Sequence, residues 1–222
     1  MIRGIIFDFD GLIVDTESVW FTVYADVLKD YQIELTLNEF SKCIGTSDDV
    51  LFKMLQSKTE IELNQQEIKK KTEQLYQLRM EELALREGVL DYLQAAKRLG
   101  LRIGLASSSS RQWVVGFLEK FNILSYFEVI KTKEDVQKVK PDPALYSQAL
   151  EGLNLESEEV IVFEDSLNGL IAATKVNLAC IIVPNPVTRE LAFSGHAHRL
   201  QSMEEQTLEE VIRVVTTKQK VL

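Results

Sequence analysis

Residues 5–12 read Ile-Ile-Phe-Asp-Phe-Asp-Gly-Leu, and no other stretch limits the fold of this chain so tightly. A short apolar run that closes in turn chemistry suits a strand buried on both faces. Gly11 marks where that strand stops. Asp8 and Asp10 then fall at its carboxyl end, where open α/β sheets place their ligands. Side chains two residues apart share one face of a strand. Two carboxylates about 4 Å apart repel by roughly 4 kcal/mol at an effective dielectric of about 20. A cation relieves that repulsion, so the pair reads as part of a metal site with one carboxylate left for chemistry. Two solvated acids at a strand end are the plainer alternative, and the rest of the chain must decide between them.

The remaining sequence alternates strand and helix, with one interruption. Strand one is expected over about 3–9, then a helix over 17–30 capped by Thr16, with Trp20, Val23, Tyr24, Val27 and Leu28 on one stripe. From 31 to 85 the pattern is purely helical. Thr46-Ser47-Asp48 reads as a helix start with Val50, Leu51, Met54 and Leu55 inward. A long helix over 64–84 follows, with Ile68, Leu75, Leu78 and Leu85 on its inner side. From Gly88 the alternation resumes: helix 89–99, strand 102–106, helix to Phe121, strand 127–130, strand 160–163, strand 179–183, a short strand near His198 and a helix over 204–216. This spacing implies an α/β fold, a Rossmann-like doubly wound parallel sheet. The helical stretch reads as a cap domain, 16–84, inserted after strand one into a core domain of 1–15 and 85–222.

Composition removes several function classes. The 222 residues carry 34 acids against 25 bases, a formal net charge of −9, so nucleic acid is not an expected partner. No uncharged apolar stretch approaches membrane-spanning length, and the acids at 8 and 10 break any secretory pattern. Two cysteines, Cys43 and Cys180, make no disulfide framework. The expectation is a cytoplasmic protein without a membrane or nucleic-acid partner, and a monomer, since no apolar stripe is left unassigned.

Parallel strands bring their carboxyl ends to one edge of the sheet. There strand one offers Asp8 and Asp10, strand two Ser107 at a helix start, the loop after strand three Lys140, and strand four Glu164 and Asp165. Acids gather a hard cation such as Mg²⁺, while the lysine and free amides suit a phosphate. Asp8-Phe9-Asp10-Gly11, Ser107, Lys140-Pro141 and Glu164-Asp165 resemble the four motifs of the haloacid dehalogenase-like superfamily. Asp15-Thr16-Glu17, Asp142-Pro143 and Ser166 with Gly169 narrow the likeness to its beta-phosphoglucomutase and phosphoglycolate phosphatase group. That resemblance implies a phosphatase acting on a small phosphorylated metabolite. Asp8 would be the nucleophile that takes the phosphoryl group, and Asp10 the general acid and then base. Ser107 and the amide of Ser108 would hold phosphoryl oxygens, and Lys140 would neutralise charge between Asp8 and the phosphate. Asp8, the Asp10 carbonyl and Asp165 would ligate Mg²⁺, with Glu164 holding a bound water.

Asp10 argues for phosphate chemistry, because the dehalogenases of the superfamily have no acid there. The mutases carry a cap histidine where this chain has Trp20 and an arginine where it has Asp48. Monoester hydrolysis is therefore preferred to the phosphosugar mutase alternative. A non-catalytic, phosphate-responsive binding module is the alternative from another class. Trp20, Tyr24 and Arg79 are candidates for the substrate cleft, the two aromatics alternatively packing the helical core. Arg86-Glu87-Gly88 replaces the Pro-Gly common in relatives.

Overall fold

A computed structural model describes residues 1–44, 48–80 and 83–219. Its sheet is entirely parallel, six strands in the order β3-β2-β1-β4-β5-β6. The strands are β1 (Gly4–Phe7), β2 (Arg102–Ala106), β3 (Val129–Lys131), β4 (Val160–Glu164), β5 (Ala179–Ile182) and β6 (His198–Arg199). β1 lies between β2 and β4, with Phe7 opposite Leu105 on one side and Phe163 on the other. The central strand is thus the one that carries the paired acids, and its four residues are all buried.

Alternation along the strands builds two cores. Ile5, Phe7, Ile103, Leu105, Ile161 and Phe163 face one way and meet α5 (Val89–Arg98), α6 (Arg111–Lys120) and α9 (Leu208–Gln219). Ile6, Val160, Val162, Cys180 and Ile182 face the other and meet α7 (Ala144–Leu153) and α8 (Leu167–Lys175). Helices on both faces are the doubly wound arrangement. Phe7 stacks on Phe163 at 5.3 Å, with Tyr92 edge-on to Phe163.

Between β1 and α5 lie α1 (Thr16–Leu28), α2 (Leu37–Ser41), α3 (Asp48–Gln56) and α4 (Gln65–Arg79). They enclose a separate core of Tyr24, Leu28, Ile33, Phe40, Leu51, Phe52, Leu55 and Ile68, to which Val187 from the loop after β5 is added. Chain entry and exit meet at an antiparallel bridge between Val14 and Leu85.

Several local expectations differ from the structure. α1 is capped by Asp15, whose side chain accepts Ser18 N–H, because the Thr16 hydroxyl donates to Asp10 instead. α4 stops at Arg79, and its buried positions are Ile68, Thr72 and Tyr76. Leu78 is 74% exposed and Leu85 lies beyond the helix. In α3, Phe52 is buried where Val50 is exposed. Thr46 and Ser47, read as that helix's start, lie outside the described residues.

Candidate active site

The carboxyl ends of β1, β2 and β4, and the loop after β3, converge on one cleft of about 690 Å³. Asp8, Asp10, Ser108, Lys140 and Asp165 all line it. Lys140 reaches in from the loop before α7. Its Nζ donates to Asp8 Oδ1 at 2.5 Å and to Glu164 Oε1 at 2.6 Å, and it lies over the Tyr146 ring. Its side chain is only 4% exposed. A buried ammonium needs such partners, since desolvation otherwise costs several kcal/mol.

Glu164 is fully buried and fully engaged. Oε1 also accepts the Tyr146 hydroxyl at 2.5 Å, and Oε2 accepts Asp165 N–H, Ser166 N–H and the Ser166 hydroxyl. α8 begins against it: a Cβ on Gly169 would stand 1.8 Å from the Glu164 carboxyl, so no side chain fits there. Asp165 is held on one side only. Asn185 Nδ2 donates to its Oδ2 at 2.7 Å, while its buried Oδ1 has no hydrogen-bond partner. Gly11, at φ +78°, makes room for it; a Cβ would fall 2.2 Å from Asp165 Oδ2.

Oxygen atoms of Asp8, Glu164 and Asp165 lie within 4.8 Å of one another. This all-oxygen set, with one oxygen left unpartnered, fits a hard divalent cation. Electrostatics agree. Burial, then Glu164, push the Asp8 carboxyl up to about 7 against the pull of Lys140. Burial, then Asp8 and Glu164, hold Asp165 well above the ordinary carboxylate range. Burial pulls the Lys140 ammonium down, but the charges of Asp8 and Glu164 outweigh it and hold the group above its usual value. The cluster is short of positive charge.

Asp10 sits beside this cluster in different company. Trp113 Nε1 donates to its Oδ1 at 2.9 Å, the Ser109 hydroxyl to Oδ2 at 2.5 Å, and the Thr16 hydroxyl to Oδ1 at 3.1 Å. Ser107 is wholly buried. Its hydroxyl lies 3.5 Å from Asp10 Oδ2 and accepts Ser109 N–H, while Ser108, Ser109 and Ser110 form the cleft wall. Glu17 and Trp20 of α1, Ile44 and Lys133 line the same cleft. Burial, then Asp10 and Asp15, push the Glu17 carboxyl up to about 8. Of the other cleft candidates, Tyr24 is buried in the helical core, and Arg79 pairs with Asp26 and Thr22.

Sequence reasoning missed Tyr146, Asn185, Trp113 and Ser109, and singled out Arg86 only as part of the stretch that replaces Pro-Gly. Asn185 was recoverable, because it follows β5 on the same rim. Arg86 donates to the carbonyls of Gly11, Val183 and Pro184, which ties the loops after β1 and β5 to the segment leading into α5. Trp113 and Tyr146 lie in the first turns of α6 and α7, where the apolar pattern alone reads as core.

A family model described as haloacid dehalogenase-like hydrolase matches residues 5–183. The chain is similar to YhcW of Bacillus subtilis (strain 168), with 44% identity over 94% of this chain and 95% of that protein. It is 30% identical to the phosphorylated carbohydrates phosphatase of Thermotoga maritima, over 79% of this chain and 82% of the relative. The crystal structure of CbbY from Rhodobacter sphaeroides in complex with phosphate superposes with a TM-score of 0.73 at 28% identity, covering 92% of this chain and 96% of that one.

Proposed function

From the premise that this chain belongs to the haloacid dehalogenase-like hydrolase family and is a phosphoric monoester hydrolase, we propose a Mg²⁺-dependent phosphatase of small sugar phosphates, working through an aspartyl-phosphate on Asp8. One observation carries this reading: Lys140 bridges Asp8 and Glu164 while Asp165 keeps a buried oxygen unpartnered beside them. The substrate class is supported by the name of the Thermotoga relative and by a cleft that mixes aromatic walls with serines and Asn168.

Asp8, the Asp10 carbonyl and Asp165 would hold Mg²⁺, and Glu164 orients the group from behind. When bound, the ion supplies positive charge against the phosphoryl oxygens. Asp8 Oδ attacks phosphorus; the P–O bond to the alcohol breaks, and the Asp10 proton goes to the leaving oxygen. Asp10 then takes a proton from the water that opens the aspartyl-phosphate. The Ser108 amide receives a phosphoryl oxygen, the buried Ser107 hydroxyl fixes that serine loop by accepting Ser109 N–H, and Lys140 balances charge on Asp8. Residues 16–84 serve as a cap over the core of 1–15 and 85–222, with Trp20 and Glu17 facing the substrate. Exposed large apolar side chains are scattered over separate elements, which supports a monomer. No helix among the described residues is long and apolar enough to cross a membrane, which is compatible with the cytoplasm as its place of action.

The test is phosphate release from a panel of phosphorylated metabolites with Mg²⁺, run on the wild type, Asp8→Asn and Asp10→Asn. Loss of at least about 10³-fold in Asp8→Asn is expected. No turnover by wild type and Asp8→Asn alike would replace the enzyme with a binding module, and equal turnover by both would remove Asp8 as the nucleophile.

A further inference from the structure

Asp10 accepts hydrogen bonds from three elements, and one donor differs in kind. Hydroxyls of Thr16 and Ser109 rotate freely, but an indole N–H points along its ring plane. Whatever fixes the Trp113 ring therefore fixes the direction of the contact to Asp10 Oδ1, 2.9 Å away. Phe117, one turn on, packs edge-on at 4.9 Å and 72°. From the helical segment, Tyr76 packs against the indole at 5.8 Å and 34°, and Tyr76 is itself stacked on Trp20 at 3.9 Å and 16°. Tyr76 is 1% exposed, with no hydrogen-bond partner for its hydroxyl, so its ring is what it contributes. A continuous aromatic column thus runs from the cleft wall of α1, through α4, to the side chain that touches Asp10.

We propose that Trp113 is a positioning residue that aims the Asp10 carboxyl at the leaving oxygen, and that the Trp20–Tyr76 stack holds its indole at that angle. The proposal rests on the reading of Asp10 as proton donor. In that step the P–O bond breaks, the Asp8–P bond forms, and the Asp10 proton ends on the departing alcohol. Aim matters in proportion to how badly the leaving group needs the proton. An alkoxide cannot leave without it, whereas a nitrophenolate can.

The experiment compares kcat/KM for an alkyl ester, a hexose phosphate turned over by the wild type, with that for nitrophenyl phosphate. It uses the full-length Mg²⁺-loaded enzyme as wild type, Trp113→Phe, Tyr76→Leu and Asp10→Asn. kcat/KM reports only steps through the first phosphoryl transfer, so later hydrolysis on Asp8 does not enter. Trp113→Phe keeps an aromatic ring and removes the N–H. Its alkyl-to-aryl ratio is expected to fall roughly 10-fold or more, with a smaller fall in Tyr76→Leu. Trp113→His, which retains a ring N–H, should recover part of the ratio. Equal losses on both esters mark a packing role and overturn the proposal, as does an unchanged ratio. If Asp10→Asn itself does not discriminate between the esters, the reading of Asp10 fails. If Asp10→Asn discriminates and Trp113→Phe does not, only the role of Trp113 fails.

Discussion

Replacing Lys140 by methionine tests the electrostatic account of the site most directly. The Asp8, Glu164 and Asp165 carboxyls share one buried cluster, and among the described residues the Lys140 ammonium is the cation paired with it. Both ion pairs are short, 2.5 and 2.6 Å, and their side chains are at most 10% exposed. Each is worth about 6 kcal/mol of direct attraction at an effective dielectric of about 20, most of it spent on desolvating the partners. Removing one partner of such a buried pair costs about 3–5 kcal/mol, because the other charges stay buried and uncompensated. In a chain of this size that is a fall in Tm of roughly 6–20 °C. Protonation limits the loss, since Asp8, already pushed up to about 7, takes up a proton more readily without Lys140. The Lys140 ammonium is held above its ordinary 10.5, so its contribution is complete at every lower pH. The pH dependence between 5 and 8 therefore belongs to the carboxyls, and the destabilisation should be large at pH 8 and shrink at pH 5. Urea unfolding in EDTA at the two pH values measures both quantities. A loss below about 1 kcal/mol at pH 8, or a larger loss at pH 5, would refute the claim that this ammonium offsets the cluster's charge.

Two further outcomes are expected. Cation binding requires ionised Asp8, whose carboxyl is pushed up to about 7, so the Mg²⁺ dissociation constant of the apoenzyme should rise as pH falls below 7, with Asp8 alone contributing a slope that approaches about tenfold per pH unit; a flat calorimetric profile from pH 5.5 to 8 counts against Asp8 as ligand. Gly169→Ala forces a Cβ to 1.8 Å from the Glu164 carboxyl, which must swing away from Lys140 and Tyr146; a stability loss of at least about 2 kcal/mol is expected, and a melting temperature within about 2 °C of wild type would sink the packing argument.

Much of this arrangement was legible in the residues because the signals were periodic or repeated. β2 lies where its apolar run placed it, and the parallel sheet follows from strand and helix alternation. Asp8, Lys140, Glu164 and Asp165 meet because parallel strands end on one rim. What stayed hidden depends on direction, which spacing does not encode. Glu164 reads as an acid free for a metal-bound water, yet both its oxygens are engaged by Lys140, Tyr146, Ser166 and backbone amides. Ser107 reads as a cleft hydroxyl, yet it is buried beside Asp10. Thr16 reads as a cap, but Asp15 competes successfully for the amide of Ser18. Tyr76 carries an apolar body that α4 buries in place of Leu78, a choice made by Trp20 and Trp113 on neighbouring helices.

The chain crosses between its two parts where Val14 bridges both Asp10 and Leu85, and where Arg86 grips the Gly11 carbonyl. Were the helical segment to act as a lever, its fulcrum would lie at this crossing, next to Asp10. α4 leaves that fulcrum and runs for 15 residues, about 22 Å. A small tilt there would sweep the outer helices through a long arc while Asp8 and Asp10 scarcely shifted. Substitutions on the outer arm away from the Trp20–Tyr76 stack would then retune which molecules are admitted without disturbing bond making, so selectivity and chemistry are free to evolve at different speeds.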